Sequence, residues 1–161
     1  APPMLHRALL VRLKETVYYC DVGYGGPQPA GPVPVDGERV VFGERFLIEP
    51  RGEHWWGLDR YTSKGERERV IELLDLPLPE SYFIPYNFYC SKNPSSLFAK
   101  KRILNLRTAQ GSLALMDATL TEHRGGEVLV TEAGSREELA ALIREKFGID
   151  FPAASLRWEE G

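Results

Sequence analysis

Apolar positions fall in short runs along this chain, and most runs are too short for helices. Residues 5–13 (LHRALLVRL) and 16–22 (TVYYCDV) are rich in Leu, Val and Tyr and are parted by Lys14-Glu15. Two such runs around a two-residue break predict a β-hairpin, even though Lys-Glu is not a favoured type I′ turn pair. Gly and Pro crowd residues 23–37, which predicts an irregular loop of restricted dihedrals. Further strands are predicted at 38–42, 45–49 and 53–61, with Arg51-Gly52 as the turn between the last two. Residues 66–76 fit a short helix or a buried strand equally well. A connection punctuated by Pro77, Pro79 and Pro85 follows. Residues 102–108, 112–121 and 127–132 then read as three strands, with turns at Gln110-Gly111 and Arg124-Gly125-Gly126. The clearest helix is 136–147, where Ser135 is an N-cap and Glu138, three residues on, completes a capping box. Leu139, Leu142, Ile143 and Phe147 share one face of it, and Gly148 suits the position just past its end. Short strands at this spacing predict an antiparallel barrel or sandwich.

Composition narrows the function. The 161 residues are 43% apolar and 27% charged, which is globular. A chain of this length buries roughly 70% of its unfolded surface and needs no disulfide staple. The net charge is −3, with no basic tract, which disfavours binding to a phosphate backbone. Cys20 and Cys90 stand 70 residues apart, so neither a disulfide framework nor a thiolate metal site is expected. No His/Asp/Glu group has metal-ligand spacing, and none is expected to hold a metal. No run approaches the ~20 apolar residues of a membrane span. Ala1-Pro2-Pro3-Met4 carries no export signal, and the expected location is the cytoplasm. The chain opens almost directly on a strand, which reads as a fragment or a processed subunit.

The most informative pair is His6 and Asp21. A two-residue turn at Lys14-Glu15 sets Leu13 opposite Thr16, Leu10 opposite Tyr19 and Ala8 opposite Asp21. Alternation then puts His6, Ala8, Leu10, Tyr19 and Asp21 on one face. His6 becomes the diagonal neighbour of Asp21, at roughly 7–8 Å, within reach of two medium-length side chains. A carboxylate on one imidazole nitrogen fixes the tautomer and leaves the other nitrogen to act as a base. Cys20 faces away and reads as a core thiol. Taken alone, the pair fits an ion pair or a hydrogen-bonded core histidine better than it fits catalysis. His54 and His123 read as solvated turn residues, and Lys100-Lys101-Arg102 as a solvated strand edge rather than a phosphate clamp. Gly23, Gly25 and Gly26 make a weak phosphate-loop signal, because no helix clearly follows and Pro27 interrupts.

Read together, the flanking residues are more specific. His6 opens an apolar strand, and Asp21-Val22-Gly23-Tyr24-Gly25-Gly26 follows fifteen residues later, before a Pro-rich loop. Asn87-Phe88-Tyr89-Cys90-Ser91-Lys92-Asn93-Pro94-Ser95-Ser96-Leu97-Phe98 forms a second block, and Leu120-Thr121-Glu122-His123-Arg124-Gly125-Gly126-Glu127 a third. The three blocks, in this order, resemble the arylamine N-acetyltransferase family, with Tyr24 where that family carries Phe.

The resemblance implies an α+β fold: an antiparallel β-barrel over 1–95 and a small α/β lid over 96–161. It implies ping-pong acyl transfer from acetyl-CoA to an arylamine or hydrazine through a Cys-His-Asp triad. His6 would be the base and Asp21 its orienter. Gly23, Gly25 and Gly26 would line the coenzyme A site, and Tyr24 and Phe98 the acceptor pocket. The chain departs from the family pattern in one respect. The family's nucleophile lies in an Arg-Gly-Gly-x-Cys segment upstream of the histidine, and no such segment is in these 161 residues. Cys90 stands where the family usually carries a small hydroxyl residue. The expectation is a chain that supplies two triad members and takes the sulfur from a helical domain or partner chain. Apolar surface left uncovered would then favour a partner or homo-oligomer. The alternatives are a triad-deficient binding subunit, a relic of the same fold, or a polyketide-releasing amide synthase.

Overall fold

The computed structural model describes residues 6–62 and 64–158. The expected start of the first strand at Leu5 lies outside the described residues, and within them the strand begins only at Leu9, so His6 precedes it. The fold is α+β, with three antiparallel sheets. The chain divides into two compact units, one running to Ala99 and the other starting at Lys100.

The first unit opens with the hairpin β1 (Leu9–Leu13) and β2 (Thr16–Cys20). Its register is the one the two-residue turn requires, with Leu13 paired to Thr16 and Leu10 to Tyr19. Lys14 takes a positive φ of 55° to make that turn. A short β3 (Val33–Pro34) joins β2 at the end of the Gly/Pro loop. A meander follows: β4 (Gly37–Val41), β5 (Glu44–Gly52), β6 (Trp55–Tyr61) and β7 (Arg67–Leu74). The ambiguous stretch 66–76 is thus a strand. Tyr19 and Val33 from the first sheet and Phe46, Ile48, Leu58 and Val70 from the second form one buried cluster. Side chains of this size each contribute roughly 1.5–3 kcal/mol when fully buried.

The expected barrel is not present as a closed sheet. The two sheets of this unit are open, ordered β1-β2-β3 and β4-β5-β6-β7. The break falls at β3, which is only two residues long and ends on Pro34. Proline has no N–H to give to a further ladder, so pairing stops there. A second correction concerns the turn between β5 and β6. It lies at Glu53-His54, with His54 at φ 61°, rather than at Arg51-Gly52, which ends β5 after an irregularity in register.

The connection after β7 is more ordered than its prolines suggested. Glu80–Phe83 form a 3-10 turn that leads into α1 (Ile84–Lys92), and α2 (Leu97–Lys100) follows. Pro85 lies in the first turn of α1, where a backbone N–H has no helical partner to lose. It starts this helix rather than breaking it.

The second unit is a meander of β8 (Ile103–Thr108), β9 (Gly111–Met116), β10 (Thr119–Arg124) and β11 (Glu127–Glu132), followed by α3 (Arg136–Phe147). Residues 112–121 were expected as one strand and are two. Asp117 turns the chain at φ 55°, and its carboxylate accepts from the Arg102 N–H (3.1 Å) and from Lys101 Nζ (2.5 Å). At Gly111 a β-carbon would fall 1.8 Å from the His123 carbonyl oxygen, so only glycine fits beside β10. Leu139, Ala140 and Ile143 of α3 bury against Leu115, Leu120, Ala133 and Leu156, with Leu142 and Phe147 packed at the margin.

The cap of α3 is as the sequence predicts. Ser135 accepts from the Glu138 N–H through its side chain (3.1 Å), while Glu138 Oε2 accepts from the Gly134 N–H (2.7 Å). Gly148 closes the helix in the left-handed region at φ 68°. Ser135→Ala removes the cap and is expected to cost about 1 kcal/mol. Urea unfolding of the two chains, compared at equal denaturant slope, measures it.

Candidate active site

The end of β2 builds a compact polar cluster. Tyr19 and Asp21 are two residues apart on an extended chain, so their side chains leave the same face. Asp21 Oδ2 lies 2.6 Å from His6 Nε2 and accepts from Tyr19 Oη at 2.7 Å. Its Oδ1 accepts from the backbone N–H groups of Gly23 (2.8 Å) and Tyr24 (3.1 Å), where the chain turns back immediately after the aspartate. The Asp21 side chain is 1% exposed and that of His6 is 25% exposed. The structure therefore brings together the histidine and aspartate that the hairpin register pairs in the sequence.

The electrostatics follow from these bonds. Burial pushes the Asp21 carboxyl up, but the donors from Gly23, Tyr19 and His6 outweigh it and hold the group below the usual carboxylate range. Burial first, and then the bond to Asp21, push the Tyr19 phenol far up, so Tyr19 stays protonated and donates. An ionised carboxylate only accepts, so His6 Nε2 must carry the proton. In neutral His6 the lone pair is then on Nδ1, which has no partner among the described residues. This is the tautomer a general base needs.

The depressed Asp21 pKa also makes a stability statement. Its contribution is fully present above the unfolded carboxyl value, near 4, and is lost as pH falls through the lower folded value. Asp21→Asn should therefore flatten the acid limb of the wild-type stability curve below about pH 4 and leave its slope near neutrality unchanged. Urea midpoints between pH 2 and pH 7 check this.

The loop after Asp21 is tied down at several points. The Tyr24 N–H also donates to the Gln28 side chain (3.1 Å), and Tyr24 Oη donates to the Val70 carbonyl on β7 (3.2 Å). The Tyr24 ring lies 5.2 Å from the His6 ring, tilted by 58°. Gly25 and Gly26 occupy the left-handed region at φ 72° and 56°, which accounts for glycine there. A β-carbon at Gly23 would meet only an ordinary contact, 3.7 Å from His6 Cε1.

Comparison with known proteins places the chain in a family. A family model described as N-acetyltransferase matches residues 1–156. The chain is 25% identical over 155 residues to the arylamine N-acetyltransferase of Escherichia coli (strain K12), an alignment covering 92% of this chain and 53% of that protein. The chain belongs to the arylamine N-acetyltransferase family. It spans about half the length of the curated relative it matches. The Salmonella typhimurium arylamine N-acetyltransferase structure superposes with a TM-score of 0.83 at 20% identity, covering 95% of this chain and 59% of that one. The Mycobacterium marinum arylamine N-acetyltransferase solved in complex with CoA gives 0.83 at 21% identity, covering 97% and 60%.

In this member of the arylamine N-acetyltransferase family the other predicted residues lie apart from the cluster. Phe98, on α2, is 66% exposed and takes no part in the hydrogen bonds or ring contacts of the cluster. Cys20 is half-buried on the face of β2 opposite Asp21, and Cys90 is half-buried on α1; both are free thiols. Neither is hydrogen-bonded to His6 among the described residues. His54 is an exposed turn residue 3.7 Å from the Glu53 carboxylate, and His123 is exposed on β10. Of the basic run, Lys101 pairs with Asp117, and Arg102 donates to the carbonyls of Asp117 (3.0 Å) and Arg157 (2.7 Å). Those two side chains fasten turns rather than line an open strand edge. Among the described residues no group of three His, Cys, Asp or Glu is gathered for a metal, and no helix is long and apolar enough to cross a membrane.

Two members of the cluster were not predicted as site residues. The alternation that pairs His6 with Asp21 also puts Tyr19 on that face, so its hydroxyl was findable. Gln28, a buried polar side chain that accepts from Tyr24, left no signal in the sequence.

Proposed function

We propose that this chain supplies the histidine and carboxylate of a Cys-His-Asp site that moves an acetyl group from acetyl-CoA to the nitrogen of an arylamine or hydrazine. The observation that carries the reading is the 2.6 Å contact from His6 Nε2 to a buried Asp21, which leaves Nδ1 as the basic nitrogen.

Nδ1 takes the proton of a cysteine thiol, and Asp21 stabilises the imidazolium that forms. The thiolate attacks the acetyl carbonyl, the carbonyl–sulfur bond to coenzyme A breaks, and the imidazolium returns its proton to the departing thiolate. In the second half the amine nitrogen attacks the acetyl-enzyme. Nδ1 receives the amine proton and passes it to the enzyme thiolate as the amide leaves. The attacking sulfur comes from residues outside these 161, on a helical domain or partner chain; no hydrogen bond joins Cys20 or Cys90 to His6 among the described residues. Gly23, Gly25 and Gly26 border the coenzyme A path, and Tyr24 and Phe98 the acceptor. Family membership supports this assignment, and the bonds from the Gly23 and Tyr24 N–H groups to Asp21 hold the start of the loop beside the His6–Asp21 pair.

The test is acetylation from acetyl-CoA, read by intact-mass spectrometry. A polypeptide joining this chain to its thiol-bearing part is expected to gain one acetyl group on cysteine and lose it when an arylamine is added. The 161-residue chain by itself is expected to gain none. Transfer to amine with no acetyl-enzyme, or no transfer to any arylamine or hydrazine, overturns the proposal.

A further inference from the structure

We infer that Tyr19 is a positioning residue for the His6–Asp21 pair: its phenol fixes the rotation of the Asp21 carboxylate and competes with His6 for Oδ2. The inference deepens the acyl-transfer reading and takes its functional meaning from it.

Position 19 sits wholly inside the apolar cluster of the first unit, beside Val33, Phe46 and Ile48, with no exposed surface. Phenylalanine would fill that space equally well. What tyrosine adds is one hydroxyl, and that hydroxyl lies 2.7 Å from Asp21 Oδ2. His6 Nε2 reaches the same oxygen at 2.6 Å. The Gly23 and Tyr24 N–H groups occupy Oδ1. Each carboxylate oxygen thus has two donors, and the group cannot rotate without breaking some of them. The two donors on Oδ2 draw on one oxygen's charge. The phenol therefore sets how strongly Asp21 holds the Nε2 proton, and through it how basic Nδ1 becomes. It is a dependable donor, because burial keeps it protonated throughout the working pH range.

The experiment follows the Asp21 carboxyl carbon by NMR through an acid titration of this chain. Tyr19→Phe is expected to raise the Asp21 midpoint by about one pH unit, the effect of removing one hydrogen bond to a charged group. A 3-fluorotyrosine placed at position 19 is a stronger donor of nearly the same shape and is expected to lower the midpoint. Tyr18→Phe, on the opposite face of β2, is expected to leave it unchanged. Opposite shifts from the two changes at position 19 are not what a packing role would give. If Tyr19→Phe fails to fold, the fluorinated chain decides the matter by itself. An Asp21 midpoint that does not respond to the change of donor overturns the inference. In the acetyl-transferring polypeptide, Tyr19→Phe should also move the pH–rate profile with KM for acetyl-CoA unchanged. The inference and the acyl-transfer reading fail separately. An Asp21 titration that responds while His6→Ala leaves acetyl transfer intact supports the hydrogen-bond role and removes the reading it serves.

Discussion

His6→Ala, made in the polypeptide that carries the thiol, is expected to lower kcat/KM for acetyl transfer by about 10³–10⁴-fold. The size follows from the two jobs assigned to the imidazole. It must remove the thiol proton before attack and return a proton to the leaving coenzyme A, and the other groups on Asp21, the Tyr19 phenol and two backbone N–H groups, are donors rather than bases. Asp21→Asn should cost a similar amount, up to about 10⁴-fold, because the imidazole remains but its tautomer is no longer dictated. An asparagine that turns its amide nitrogen toward His6 favours the proton on Nδ1, the wrong nitrogen for a base. The two changes should combine to little more than His6→Ala alone, since both act through one unit. Steady-state rates with an arylamine acceptor, with intact mass as a check on the acetyl-enzyme, give the numbers. Wild-type turnover in either single variant would remove the proposed roles. Substitution of Lys101, bound to the Asp117 turn in the second unit, serves as a control and should leave the rate unchanged.

How far the site could be read from sequence depended on periodicity. The hairpin is a case where one local decision, a two-residue turn at Lys14-Glu15, propagates along both strands. Register then fixes which side chains share a face from Leu13 opposite Thr16 to Leu9 opposite Cys20, and the His6–Asp21 contact forms just beyond the end of that ladder. The same alternation separated Cys20 from Asp21. The α3 cap was legible because Ser135, Glu138 and Gly148 act within one helical turn of their own positions. What was not legible depended on context. Asp117 turns a chain that reads as one unbroken strand, because the carboxylate finds Lys101 and Arg102, fifteen or sixteen residues earlier in sequence. Pro85 looks like a breaker until its place in the first turn of α1 is known. The barrel expectation failed at Pro34, where the sequence shows the missing donor but not that a sheet edge would fall there.

The same limit hid the second buried carboxylate, and its removal is expected to cause the largest loss of stability in the first unit. Asp59 lies on β6, one residue past Leu58, so it points away from the core that Leu58 enters. It is nevertheless 2% exposed, because Arg51, Arg67 and Arg69 from the flanking strands close over it. Gly57 makes room for them, since a β-carbon there would lie 2.9 Å from Arg51 Nε and Arg69 Cζ. Asp59 Oδ2 accepts from Arg51 (3.0 Å) and from Arg67 Nε (2.6 Å), Oδ1 accepts from Arg69 Nε, and Glu49 and Glu72 balance the remaining charge. Asp59→Ala leaves three guanidinium groups facing a void with two carboxylates among them. Removing one side of a fully buried pair costs about 3–5 kcal/mol. These guanidinium groups keep about a third of their surface in water, which recovers part of that, so about 2–4 kcal/mol is expected. Asp59→Asn keeps an acceptor oxygen and should fall between wild type and alanine, whereas Glu72→Ala, at the exposed rim, should be nearly silent. The pH dependence has a definite sign. Burial raises the Asp59 carboxyl, but the bonds from Arg69 and Arg67 outweigh it and hold the group below the usual range. Its stabilisation is therefore complete above the unfolded value, near 4, and disappears as pH falls through the folded value. Urea unfolding should show the wild-type advantage over Asp59→Ala at pH 7 and its collapse toward pH 2. An Asp59→Ala chain within about 0.5 kcal/mol of wild type at pH 7, the range of an ordinary surface substitution, would mean that the arginines pair as well without it.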